Sequence, residues 1–263
     1  MSNVYVYKTD CKVFNFPAGE VSVRLNEDTL RDVSTIVAHI QNSDNIMQML
    51  LLNDALRRAG QQKINLLIPY VPYSRQDRVC NSGEALSIKV FCDLVNSCNF
   101  NSVFVMDCHS DVTLALLNNV QHAHQSVVFS QIEKDWANTI IISPDAGALK
   151  KAEQFAKDRG AKGVVVANKK RNVSTGDIEY VRLTESVANE DVFVVDDICE
   201  GGGTFLLLAE QLQEAKSKEI AVSHGIFSRG TEVLTSVYDR VYTTNSYHPE
   251  LESKDNLVVF KII

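Results

Sequence analysis

No run of 18 apolar residues occurs in the 263-residue sequence, and the amino-terminal stretch MSNVYVYKTDCKVFNF has no basic segment leading into an apolar one. The chain is therefore expected neither to span a membrane nor to be secreted. It also lacks any Cys-x-x-Cys pair: Cys11, Cys80, Cys92, Cys98, Cys108 and Cys199 are scattered. That spacing argues against a zinc site or a disulfide framework and points to a reducing, cytoplasmic setting. Positive charge is not in excess, since 26 Lys and Arg stand against 33 Asp and Glu for a net charge of −7. Such a balance excludes a general nucleic-acid binder and leaves local basic clusters available to phosphorylated small molecules. Neither common nucleotide loop is present: there is no Gly-Lys-Ser/Thr, and no Gly-x-Gly-x-x-Gly opening a helix with an acidic residue about 20 positions later.

What is present is a regular alternation. Strand candidates are 33-VSTIVAHI-40, 63-KINLLIPY-70, 102-SVFVMD-107, 139-TIIIS-143, 162-KGVVVA-167, 192-VFVV-195 and 219-EIAVSH-224. Helical periodicity lies between them. In 45-NIMQMLLLNDALRRAG-60, Ile46, Met49, Leu50, Leu52, Leu56 and Ala59 share one face and Gly60 stands where the helix should end. The same reasoning gives helices near 84–98, 147–159 and 203–215. This rhythm predicts an α/β protein of two doubly wound, mostly parallel sheets, with the boundary near 140 and domains at 1–140 and 141–263.

Ligands of such folds sit where strands end. The longest signal is 192-VFVVDDICEGGGTFLLLAE-210, where an apolar run meets Asp196 and Asp197 and then Gly201, Gly202, Gly203 and Thr204. Glycines between a strand and a helix N-terminus suit a phosphate, and Thr204 is expected to cap the helix. Two carboxylates beside that cradle would repel the phosphate unless they hold sugar hydroxyls or a Mg²⁺ ion, and a ribose 5-phosphate unit meets both demands. Because the loop is no core element, a side chain at Gly202 is expected to block the phosphate with little effect on folding. Other strand ends carry 71-VPYSRQDRV-79, 107-DCHSD-111, 143-SPDAGALKK-151 and 168-NKKRN-172. Together these offer Arg and Lys for a polyphosphate, and Asp107 or Asp145 as oxygen ligands for Mg²⁺.

The stretches 16-FPAGEVSV-23, 44-DNIMQMLLLNDALRRAG-60, 68-IPYVPYSRQDR-78, 107-DCHS-110, 143-SPDAG-147 and 194-VVDDICEGGGT-204 together make the chain resemble the ribose-phosphate pyrophosphokinases. The resemblance implies domains of the type I phosphoribosyltransferase-like fold. It also implies a cytoplasmic enzyme of nucleotide biosynthesis that transfers pyrophosphate from MgATP to ribose 5-phosphate. By carry-over, Phe16, Glu20, Arg75, Gln76, Asp77 and His109 would bind ATP. Lys169, Arg171 and His109 would be catalytic, the two basic residues on a mobile loop. Asp145, Ala146 and Gly147 would form the pyrophosphate turn, with His109 and Asp145 organising Mg²⁺. Asp196, Asp197, Cys199, Glu200, Gly201, Gly202, Gly203 and Thr204 would grip ribose 5-phosphate. Phe16 and Glu20 fall where the family holds adenine across a subunit interface, which implies a dimer-based homo-oligomer, up to a hexamer, with no nucleic-acid or membrane partner.

The sequence departs from the family's pattern at several points. Ala18 stands at a usual Asp, Glu200 and Gly201 replace Asp-Thr, the basic loop after Lys169 is short and free of proline, and 79-VCNSGEALSI-88 lacks an arginine-bearing pattern. Two other readings compete: a catalytically silent, synthetase-like regulatory subunit, and a phosphoribosyltransferase that consumes phosphoribosyl pyrophosphate.

Overall fold

The computed structural model describes residues 2–171 and 178–263, and for 169–171 and 178–179 the backbone alone. The chain forms two compact units, Met1–His124 and Gln125–Ile263. The sequence places the boundary near 140, but Phe129 and Ile132 are buried with Phe155 and Phe193, so the second unit begins upstream of that point. Among the described residues no helix is long and apolar enough to cross a membrane.

In the first unit, chain order gives β1 (Val4–Val6), β2 (Cys11–Asn15), β3 (Val21–Leu25), β4 (Ser34–Ala38), α1 (Ser43–Arg58), β5 (Ile64–Ile68), α2 (Ser87–Ser97), β6 (Ser102–Met106), α3 (Asp111–Leu116) and β7 (Val120–Ala123). A five-stranded sheet runs β1-β4-β5-β6-β7, parallel except for β1. The unalternating apolar runs of β4 and β5 are buried on both faces, as a parallel strand requires. Helix α1 begins where the Asn42 side chain accepts the Asn45 N–H at 3.1 Å, and buries Met49, Leu52 and Leu56. It stops at Gly60, which takes φ +85 and so allows the left-handed residue that closes the helix. Strands β2 and β3 form a separate antiparallel ribbon, with β3 against α1. Its turn is sharp because Pro17 pre-sets φ, Gly19 N–H donates to Phe16 O at 2.8 Å, and Phe16 N–H closes on Glu20 O at 2.8 Å.

The second unit contains α4 (Gln125–Val128), β8 (Thr139–Ser143), α5 (Leu149–Arg159), β9 (Gly163–Arg171), β10 (Ile178–Leu183), β11 (Asp191–Cys199), α6 (Gly203–Gln211), β12 (Ser217–Gly225), α7 (Glu232–Thr235), β13 (Arg240–Thr244) and β14 (Leu257–Phe260). The seven-stranded sheet has the order β10-β9-β8-β11-β12-β13-β14, with β10 antiparallel at one edge. Strand order reverses between β8 and β11, which pair in parallel from Asp191↔Thr139 to Val194↔Ile142. This switch point is where an open α/β sheet leaves a crevice for a ligand. One face is filled by aromatic side chains: Phe193 stacks on Phe155 at 5.9 Å and meets the Trp136 edge at 5.0 Å.

Candidate active site

Strand β11 continues through Cys199, so Asp196 and Asp197 lie inside the strand rather than after it. The parallel ladder with β12 carries the chain past its apolar run, pairing Asp196 with Val222, Ile198 with His224 and Cys199 with Gly225. Asp197 is 5 % exposed and its Oδ2 is 3.0 Å from Lys151 Nζ, which comes from the first turn of α5. Burying a carboxylate this far requires such a partner. Asp196 is half-buried; its Oδ1 accepts the Asp197 N–H at 2.9 Å. The buried Gln125 side chain donates to the Asp196 carbonyl and, at 3.3 Å, to Ser223 Oγ.

Burial, with the adjacent Asp197 charge and then the Asp145 charge, pushes the Asp196 carboxyl well above its ordinary range. A carboxyl raised in the folded state binds its proton more tightly there than in the unfolded chain. Stability is thus fully present below the unfolded carboxylate pKa and falls as pH rises through the folded one. Asp196→Asn is expected to be more stable than the parent at neutral pH, with the gap closing in acid. Urea unfolding of the ligand-free protein at several pH values reads this directly; equal midpoints at neutral pH would contradict it.

The glycines after β11 differ from one another. Gly202 takes φ +74 and a Cβ there would lie 2.4 Å from Val233 Cγ1. At Gly201 the added carbon would meet Arg229 Cδ at 3.2 Å, and at Gly203 it would meet nothing within 4 Å. Helix α6 is capped by the Gly202 backbone without any side-chain hydrogen bond, so Thr204 is not the cap; it sits inside the first turn. Cys199 anchors the loop: its carbonyl accepts the Ile226 and Phe227 N–H groups at 2.9 and 3.2 Å. Burial pushes its thiol up to about 12, so it stays protonated and serves as packing. Glu200 is exposed.

Across the switch point, β8 ends in the Asp145, Ala146 and Gly147 turn. Ser143 Oγ donates to the Asp145 carbonyl at 2.8 Å, and the Ala148 N–H donates to Asp145 Oδ1 at 3.1 Å. A Cβ on Gly147 would sit 3.2 Å from that same carboxylate oxygen. The turn thus presents a carboxylate and exposed main chain ahead of α5, and Lys151 ties α5 to Asp197.

In the first unit the predicted residues fall on neighbouring strand ends. Asp77, in the loop after β5, accepts from Ser110 Oγ at 2.7 Å and lies 3.3 Å from Arg78 Nε. Ser110 also accepts the Val112 N–H and caps α3. His109 is exposed one residue earlier, in a loop whose Cys108 N–H donates to His122 Nε2 at 3.0 Å. Arg75 and Gln76 are exposed, and the Gln76 N–H closes a turn on the Tyr73 carbonyl at 2.8 Å. Phe16 and Glu20 stand at the ribbon tip; Phe16 is 50 % exposed and meets Phe14 edge-on at 5.5 Å.

The basic stretch 168-NKKRN-172 is not a loop as far as Arg171. Asn168 to Arg171 are strand β9, with Lys169 opposite Val181 and Arg171 opposite Ile178. Ladder hydrogen bonds to β10 override the low strand propensity of a polar run. The side chains of Lys169 and Arg171, and residue Asn172, lie outside the described residues. Among the described residues no group of three His, Cys, Asp or Glu is placed to hold a metal.

Residues 1–98 match the N-terminal domain of ribose phosphate pyrophosphokinase, and residues 113–253 match the phosphoribosyl transferase domain. The ribose-phosphate pyrophosphokinase of Campylobacter jejuni is 31% identical over 263 residues, covering 97% of this chain and 84% of its own length. The chain belongs to the ribose-phosphate pyrophosphokinase family. The Pyrococcus furiosus member is 30% identical over 255 residues, covering 95% of this chain and 90% of its own. The solved phosphoribosylpyrophosphate synthetase of Mycobacterium smegmatis superposes with a TM-score of 0.83 at 25% identity, covering 96% of this chain and 86% of that one. The contacts bring in residues that sequence reasoning did not single out: Lys151 at Asp197, Gln125 at the Asp196 carbonyl and Ser110 at Asp77. Lys151 carried a faint signal as the last residue of a strand-end set; Gln125 carried none.

Proposed function

We propose that the chain transfers the β,γ-pyrophosphoryl group of MgATP to the anomeric hydroxyl of ribose 5-phosphate, releasing AMP and forming phosphoribosyl pyrophosphate. The anomeric oxygen attacks the β-phosphorus, the bond from that phosphorus to the α,β-bridging oxygen breaks, and the hydroxyl proton is lost. The observation that carries this reading is the tandem match to both family domains, since a phosphoribosyltransferase calls for only the second. The Asp-Asp-glycine loop and the Asp145 turn on either side of the β8/β11 switch point support it.

In this reading Asp196 and Asp197 accept hydrogen bonds from the ribose hydroxyls. The main chain from Cys199 to Thr204 and the positive end of α6 receive the 5-phosphate. Arg75, Gln76, Asp77 and His109 hold ATP, with Phe16 and Glu20 at adenine, shared with a neighbouring copy of the chain in a homo-oligomer. The Asp145 carboxylate, in a turn with exposed main chain, suits a Mg²⁺ that would be bound mainly by phosphates and water, which calls for few protein oxygens. When bound, the ion neutralises charge on the transferred group. Lys169 and Arg171 add cationic stabilisation of that group in the transition state.

Incubation with ATP, Mg²⁺ and ribose 5-phosphate should give AMP and phosphoribosyl pyrophosphate in equal amounts. ADP alone, or no turnover, would sink the reading; no turnover would leave the regulatory subunit, and turnover only with a nucleobase and phosphoribosyl pyrophosphate would mark a phosphoribosyltransferase. A second test uses Gly203, whose Cβ position is open. Gly203→Val should fold with an unchanged melting temperature and raise KM for ribose 5-phosphate by about tenfold, the loss of close main-chain approach to the phosphate. Wild-type KM would show that the phosphate does not lie on this side of the loop.

A further inference from the structure

We propose that Arg229, with Ser228, completes the 5-phosphate site of this chain as a specificity-determining cation laid across the glycine loop. The inference rests on the ribose 5-phosphate reading above and goes beyond it by naming a residue outside the loop.

Residues 227–230 form a tight turn, with the Gly230 N–H bonded to the Phe227 carbonyl at 2.9 Å, Phe227 at φ +47 and Gly230 at φ +85. That turn is fastened to the loop by main-chain bonds at two successive residues: Ile226 and Phe227 donate to Cys199 O, and Ser228 N–H donates to Glu200 O at 2.9 Å. The side chains that follow lie over Gly201. A Cβ there would be 3.2 Å from Arg229 Cδ, 3.7 Å from Arg229 Cγ and 3.5 Å from Ser228 Oγ. Gly201 is not among the positive-φ glycines, so its backbone does not demand glycine. The space a side chain would fill is taken by the Arg229 stem, whose guanidinium begins one bond beyond Cδ.

Charge explains why a cation belongs there. The end of β11 and the loop after it carry Asp196, Asp197 and Glu200 within five positions. The end of α6 contributes about half a positive charge, which does not offset a phosphate dianion among those carboxylates. Lys151 is already engaged by Asp197. Arg229 is exposed and, among the described residues, makes no hydrogen bond or ion pair. A guanidinium presents paired N–H donors to phosphate oxygens, and the neighbouring hydroxyl supplies one more donor.

The test is calorimetric titration of the full chain with ribose 5-phosphate and with ribose, alongside steady-state kinetics. Arg229→Met should bind ribose 5-phosphate about tenfold more weakly and raise its KM, with a smaller change in kcat and no change toward ribose. Arg229→Lys should recover part of the loss. Gly201→Ala should weaken binding in the parent by displacing the Arg229 stem and have no further effect in the Arg229→Met background. Arg229→Met binding within twofold of the parent, or equal Gly201→Ala effects in both backgrounds, overturns the assignment of Arg229 alone. A parent chain that does not bind ribose 5-phosphate overturns the underlying reading as well.

Discussion

Lys169→Ala is expected to lower kcat by about 10²-fold or more, a loss of roughly 3 kcal/mol of transition-state stabilisation. The expectation follows from the proposed role. A compact ammonium that meets the transferred group as its negative charge is redistributed stabilises the transition state more than the ground state. KM for ATP and for ribose 5-phosphate should therefore change far less than kcat. Lys170→Ala, one residue along β9, is the internal control, since it removes the same charge from the same strand. A Lys169→Ala enzyme with kcat within about twofold of the parent under saturating substrates would defeat the assignment, that change being under about 0.5 kcal/mol.

The second large effect is on stability. Gly202→Val should destabilise the second unit by roughly 3 kcal/mol, from about 1–2 kcal/mol for a branched side chain held left-handed and a further 1–3 kcal/mol for overpacking. The cause is local: Gly202 sits at φ +74, and its new Cβ would overlap Val233 at 2.4 Å and approach Leu234 Cδ2 at 3.6 Å. This reverses the expectation from sequence that a side chain here leaves folding intact. It makes Gly203, not Gly202, the position at which to probe the phosphate. Urea unfolding measures the effect, and a Gly202→Val midpoint equal to that of the parent would show that the α6–α7 contact gives way freely.

Several features of this chain were determined by sequence alone. Uninterrupted apolar runs such as 64-INLLI-68 and 139-TIIIS-143 have one low-energy use, as strands covered on both faces, and they occupy β5 and β8. The one-face periodicity of 43–58, closed by Gly60, likewise has one good solution, and it is α1. Because ligands of such folds sit where parallel strands end, candidate site residues could be sought at those ends.

Other features rest on contacts that residues close in sequence do not specify. β1, the β2–β3 ribbon and β10 are short or polar and become strands only when a partner supplies the ladder. The same ladder takes Asp196 and Asp197 into β11, where burial raises the Asp196 carboxyl and Asp197 pairs with Lys151, 46 residues away. The three glycines are indistinguishable as letters. Val233 makes Gly202 irreplaceable, the Arg229 stem fills the space beside Gly201, and Gly203 faces open space, because packing against a distant turn decides what each missing side chain would have met.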